Sequence, residues 1–138
     1  MKMSKIKKIK VQTTKNIDNK IEVDNYDYPI FCFKHLHKDY HLDKCDTSEK
    51  ERFIEKIIQM SQLSWQILQH SDRHGLGCEK IRLNSIRCEL PISIKAMEDV
   101  KFLLAFRLFS DKRVIVGHRN RFIFHVVYID KDGTLYKH

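Results

Sequence analysis

Apolar residues recur along this chain in three different rhythms, and each change of rhythm marks an element. Over residues 28–36 (YPIFCFKHL) they alternate, which predicts a strand with Phe31, Phe33 and His35 on one face and Cys32, Lys34 and Leu36 on the other. From Phe53 the spacing becomes helical. Phe53, Ile54, Ile57 and Ile58 make a stripe, and the preceding Ser48-Glu49-Lys50-Glu51 fits a capping box in which the Ser48 hydroxyl accepts from the third amide and Glu51 reaches back. After Ser61 the stripe resumes in a second phase with Leu63, Trp65, Ile67 and Leu68. The segment therefore predicts one long helix or two short ones with a kink, ending near His70 ahead of Gly75 and Gly77. Residues 76–100 hold Pro91 and no dominant period, which predicts short irregular elements covering one side of a sheet.

The last third is rich in aromatic and β-branched residues. Residues 101–109 (KFLLAFRLF), 112–118 (KRVIVGH) and 121–130 (RFIFHVVYID) are separated by Ser110-Asp111 and Arg119-Asn120, the pattern of a three-stranded antiparallel meander. Asp132-Gly133 allows one more turn before Leu135-Tyr136-Lys137-His138. The fold class expected is α+β, with one or two N-terminal helices packed on an antiparallel sheet whose C-terminal part is a three- to four-stranded meander. Residues 1–20 lack a sustained period and read as a basic flexible arm, with an edge strand over IKKIKVQ as the alternative. Residues 21–138 read as a single α+β domain.

Two-residue breaks would fix the register by counting. Phe109 then pairs with Lys112 and Arg107 lies opposite Val114; His118 pairs with Arg121 and Val114 lies opposite His125. Arg107, Val114 and His125 would form one row, on a face that also carries Lys112, His118 and Arg121. Phe102, Leu104, Phe106, Leu108, Phe122, Phe124, Val126 and Tyr128 would form the core face against the Phe53/Ile57 stripe.

Charge sharpens this picture. The chain carries a formal net charge of +8, and the excess is uneven: residues 1–24 hold seven Lys against three acids, residues 25–100 eleven bases against twelve acids, and residues 101–138 eight bases against three acids. A segregated basic excess favours an anionic partner, nucleic acid first. The four cysteines, Cys32, Cys45, Cys78 and Cys88, form no C-x-x-C pair and read as reduced thiols of a cytoplasmic protein. The N-terminal segment has charge but no apolar core, so it is no signal peptide, and no stretch reaches the roughly 20 apolar residues of a membrane span.

An Arg/His face suits cleavage of RNA. Arginine makes bidentate contacts to phosphate, histidine exchanges protons near neutral pH, and RNA supplies its own nucleophile, so neither a metal nor another cofactor is required. The candidate catalytic pair is Arg107 with His125. Arg73-His74, before Gly75-Leu76-Gly77, is the second candidate, a flexible loop or simply a helix exit. Lys80 lies close to it in sequence, and Lys112, Arg113, His118, Arg119 and Arg121 are candidate nucleic-acid contacts. His35, His37, His41 and Cys45 are spaced too loosely for the usual tetrahedral zinc motifs, and no metal site is expected from them. Phosphate-loop, dinucleotide-binding, zinc-protease and serine-hydrolase motifs are absent.

The order of helices followed by an antiparallel sheet containing AFRLFSDKRVIVGHRNRFIFHVVYID resembles the RelE/YoeB superfamily of bacterial mRNA-interferase toxins, over about residues 48–138. Arg107 and Arg113 fall where strand arginines lie in such toxins, and Tyr136-Lys137-His138 is similar to the Tyr and His that some members place at their C-terminus. The resemblance implies a metal-independent endoribonuclease acting on RNA, including ribosome-bound mRNA, with an antitoxin protein as partner and no membrane association. The chain departs from the family in its length, its added N-terminal segment and its Arg73-His74-Gly75. The alternative is a non-catalytic RNA- or DNA-binding module, or an adaptor for an acidic protein.

Overall fold

The computed structural model describes residues 27–70, 77–97 and 100–138; the basic arm expected over 1–20 lies outside the described residues. The architecture is α+β. Two helices, α1 (Thr47–Ser61) and α2 (Trp65–His70), pack on a five-stranded sheet made of β1 (Ile30–Cys32), β2 (Glu79–Arg82), β3 (Phe102–Arg107), β4 (Val114–Asn120) and β5 (Ile123–Asp130). Strand order is β1-β5-β4-β3-β2. A short helix, α3 (Ile92–Lys95), lies between β2 and β3. Among the described residues no helix is long and apolar enough to cross a membrane.

The meander forms as expected, but the sheet is mixed, because β1 pairs with β5 in parallel. The β1 strand is also shorter than its alternating pattern suggested. A bulge in β5 explains where the chain goes next. The pairs Gly117↔Val126 and Val116↔Tyr128 leave Val127 as the extra residue. The carbonyl of Val127 accepts from the His37 amide at 2.7 Å and the Ile129 amide donates to the Tyr40 carbonyl at 2.7 Å, so residues after Cys32 follow the bulged edge rather than a regular ladder.

Helix α1 starts two residues earlier than the Ser48 reading. Asp46 is the N-cap: its carboxylate accepts from the Glu49 amide at 2.8 Å, and Glu49 accepts from the Asp46 amide at 2.8 Å. Both D-x-x-E and S-x-x-E fit the box, and the anionic cap gains further from the positive end of the helix dipole. The buried line of α1 is Phe53, Lys56 and Met60 with Ile57 beside it, while Ile54 and Ile58 sit on the exposed margin. The kink resolves into two helices. Ser64 Oγ accepts from the Ile67 amide and caps α2, and Trp65 is driven into the core, where its indole donates to the Phe122 carbonyl at 2.9 Å and its ring meets Phe106 and Phe124.

The sheet is covered on both faces, which corrects the expectation of one open basic face. The helical face buries Leu104, Phe106, Leu108, Ile115, Phe124, Val126 and Ile129. The opposite face buries Ile81, Leu103, Ala105, Val114, Val116, Val127, Tyr128, Leu135 and Tyr136 beneath Ile94 and its neighbours. Leu83, Ile86, Cys88, Leu90, Ile94, Met97 and Val100, from the irregular stretch between β2 and β3, cover this second face, in keeping with the short irregular elements expected there. Tyr128, assigned by counting to the helical face, lies on the other one because the bulge shifts the alternation by one residue.

Candidate functional site

Register decides which polar groups meet. Arg107 pairs with Val114 as counting predicted. Val114, however, pairs with Asp130 and not with His125, and His118 pairs with His125 and not with Arg121. Strand β4 runs on to Asn120, the hairpin turns at Arg121-Phe122, and Arg121 adopts the left-handed φ of 59°. Arg107 and His125 thus share a face but not a row. Four residues of β4, about 13 Å at the usual strand rise, separate their pairing positions. The face therefore carries two polar clusters, one at each end.

The first cluster surrounds Arg107. Gly77 packs on its aliphatic stem: Gly77 has φ +69°, and a β-carbon there would come 2.6 Å from Arg107 Cγ, so only glycine fits both the backbone and the gap. One Arg107 guanidinium nitrogen donates to the Asp111 carbonyl, and among the described residues that is the hydrogen bond its fork makes. Asp130, buried at the end of β5, accepts from the amides of Thr134 at 3.1 Å and Leu135 at 2.9 Å and fixes the turn after it. That turn seats Tyr136 in the second core, with its ring stacked on His138 at 4.4 Å. Burial pushes the Tyr136 phenol up, and the nearby Glu79 and Asp130 carboxylates add to this while Arg107 opposes it. The phenol is thus a neutral donor at physiological pH, within electrostatic reach of Arg107. Lys112 lies against Gly133 in the same turn region.

The second cluster is built from imidazoles and a thiol. His118 and His125 face each other across β4 and β5 with rings stacked at 6.2 Å. His35 meets the His125 ring at 5.3 Å, and Cys32 is its neighbour by parallel pairing. Burial holds the His125 imidazole below its ordinary range, with the charges of His35 and His118 adding to this; burial alone does the same for His118, and burial with Lys34 lowers His35. These rings are neutral at pH 7. Arg119 lines a small cavity together with His118, while its own side chain turns to Trp65 and Gln69.

Of the remaining candidates, Arg119, Arg113 and Lys80 pack on aromatic rings. Arg119 emerges on the helical face, stacks over the Trp65 ring at 4.4 Å, and donates to Gln69 and to the Arg121 carbonyl. Arg113 covers the Phe109 ring at 3.7 Å and pairs with Asp111 at 2.9 Å and Glu49 at 3.6 Å. Lys80 lies over Phe102 on the edge of the helical face, away from the Arg107 cluster. Arg121 is an exposed turn residue. Arg73 and His74 lie outside the described residues. The chain matches no family profile, no curated protein and no solved structure.

Counting along the chain missed Gly77, Glu79 and Cys32. Gly77 was legible only as a helix-exit glycine, and Glu79 sits in a strand with no alternation strong enough to mark it. The Cys32-x-x-His35 spacing was a usable signal, but its partner His125 depends on a parallel pairing that no local pattern announces.

Proposed function

We propose that this protein is a metal-independent endoribonuclease of toxin type whose phosphate site lies at Arg107 and not at the Arg107–His125 pair. The reading rests above all on one juxtaposition. Arg107, its stem held under Gly77, faces a neutral buried Tyr136 that carries His138 on its ring. Tyr136 thus links an always-charged fork to an exposed imidazole, the two kinds of group that phosphodiester cleavage with the RNA 2′-hydroxyl draws on. His138 takes the 2′-hydroxyl proton, the 2′-oxygen attacks phosphorus as the bond to the 5′-oxygen breaks, and that oxygen takes up a proton from water, His138 later returning its own proton to solvent. The products are a 2′,3′-cyclic phosphate and a 5′-hydroxyl. Arg107 stabilises charge on the phosphate, and Tyr136 holds the imidazole in place.

The basic excess of residues 101–138 supports an RNA substrate, and the resemblance to mRNA-interferase toxins supports ribosome-bound mRNA in the cytoplasm and an antitoxin partner. Arg73 and His74 stand four and three residues before Gly77 in the chain, which makes them the first residues to test beside Arg107. The test is incubation of purified protein with RNA, free and on ribosomes. Cleavage that falls about 10²–10⁴-fold in His138→Ala, with RNA binding retained, supports the assignment. Binding without cleavage in either context would replace it with the binding-module reading.

A further inference from the structure

The end of the face remote from Arg107 holds a donor set that RNA cleavage does not use. Cys32, His35 and His125 each offer one ligand atom, and these atoms lie within 4.8 Å of one another. We infer that Cys32 Sγ and one ring nitrogen each from His35 and His125 form a binding site for a zinc-class divalent cation, with the fourth position open to water. The inference is independent of the proposed RNA chemistry.

Three observations carry it. The first is an unsatisfied lone pair. His125 is only 9% exposed, and its Nδ1 is, among the described residues, the buried side-chain nitrogen or oxygen that lacks a hydrogen-bond partner. Buried polar atoms are almost always paired, so an orphan beside a thiol and a second imidazole calls for a partner. A metal ion satisfies it directly. The second is orientation. His35 Nδ1 bonds Ser93 Oγ at 2.7 Å. A ligating histidine almost always commits its other ring nitrogen to such an outer partner, which fixes the ring and leaves Nε2 for the metal. The third is the donor chemistry. A thiolate with two imidazoles suits zinc, and three protein ligands with one open position is a common zinc arrangement. Donor atoms on a tetrahedral zinc lie about 3.4–3.6 Å apart given bonds of about 2.0–2.3 Å. The donor atoms lie within 4.8 Å of one another, and with His35 held by Ser93 the adjustment to that spacing falls to rotation of the half-buried Cys32 side chain.

The positions in the fold give the ion a task. Strand β1 has only three residues, and the chain leaves the ladder at Cys32. Cys32 ends β1, His35 lies in the segment after it, and His125 belongs to β5. A shared ion clamps the 32–35 excursion onto β5, next to the bulge that the same segment follows.

The deciding experiment uses the full chain, stripped of metal and titrated with cobalt(II), followed by zinc competition. Binding of one cobalt per chain with a thiolate-to-cobalt charge-transfer band and intense tetrahedral d–d absorption is expected, and zinc should bleach both. Cys32→Ser should abolish the charge-transfer band. Ser93→Ala, an exposed change that leaves the ligands intact, should weaken cobalt binding about 10- to 100-fold through loss of the outer hydrogen bond. His41→Ala, a histidine outside the trio, should bind like the parent. Circular dichroism on each variant identifies any that fail to fold. A folded parent protein that shows no charge-transfer band, or a folded Cys32→Ser that retains it, would overturn the site and leave the His35–His125 contact as ring packing alone.

Discussion

The two ends of the sheet's second face share strand β5 and differ in the polar groups that the neighbouring strands bring to it: Glu79 and Arg107 from β2 and β3 at one end, Cys32 and His118 from β1 and β4 at the other. At the β3 end Arg107, Glu79 and Asp130 all act electrostatically on the buried Tyr136 phenol, whose pKa burial raises. At the other end burial holds the imidazoles of His118, His125 and His35 below their ordinary range, and two of them, His35 and His125, lie beside Cys32. A fixed cation linked through Tyr136 to an exposed imidazole suits a phosphate, as proposed above. Neutral imidazoles next to a thiol are equipped for a metal ion and poorly equipped for an anion. Counting residues along strands merged these ends into one catalytic row, and the difference between them is what that row concealed.

The largest effect is expected when the charge geometry at the Arg107 end is removed. Arg107→Lys keeps the charge but loses the fork, and RNA cleavage should fall about 10²–10³-fold in a single-turnover assay. Equal rates for Arg107→Lys and the parent would move the phosphate site elsewhere.

A buried charge belonging to neither end provides a reference. Lys56, on α1 and 3% exposed, has its ammonium pushed down to about 8 by burial and by Arg52. Between about pH 8 and 10.5 the unfolded chain binds a proton that the native protein does not, so stability should rise with pH across that window by about 3 kcal/mol. Below the folded value both states are protonated and this contribution is absent. Lys56→Met should flatten the rise and stabilise the protein at neutral pH, as urea unfolding at several pH values will report.

Metal acts on the second end only. Adding zinc at a hundredfold excess over its dissociation constant should raise stability by about 2.7 kcal/mol. The corresponding rise in thermal midpoint is roughly 5–10 °C. The same addition to Cys32→Ser should do much less. An equal shift in both would detach the ion from this site.

The smallest effect sharpens the first end. Gly77→Ala places a side chain at φ +69° and against the Arg107 stem, which should cost about 1–3 kcal/mol in urea unfolding. Cleavage should fall with it, because Arg107 must move to make room. Unchanged stability and cleavage would show that Arg107 is not held by this contact.

Much of the fold was legible because its signals are local. The helical stripe, the meander strands and the Arg107↔Val114 pair all follow from spacing within a few residues. The α1 cap was misplaced by two residues because Asp46 and Ser48 both precede a glutamate by three. The site was less legible for a single physical reason. Its assembly depends on a bulge at Val127, a hairpin turn shifted to Arg121-Phe122, and a parallel strand, and none of these leaves a period in the sequence. Gly117 shows how such a feature hides: a β-carbon there would strike the His125 carbonyl, yet the residue reads only as a glycine inside a strand.

The central claim is that RNA is cut at the Arg107 end without metal. It is tested most directly by the chemistry of the RNA ends produced in excess chelator. The account predicts that the parent protein still cuts RNA, free or ribosome-bound, leaving 2′,3′-cyclic phosphate and 5′-hydroxyl ends, and that Arg107→Lys leaves almost none. Cleavage abolished by the chelator while the protein remains folded, or products with 5′-phosphate ends, would contradict it.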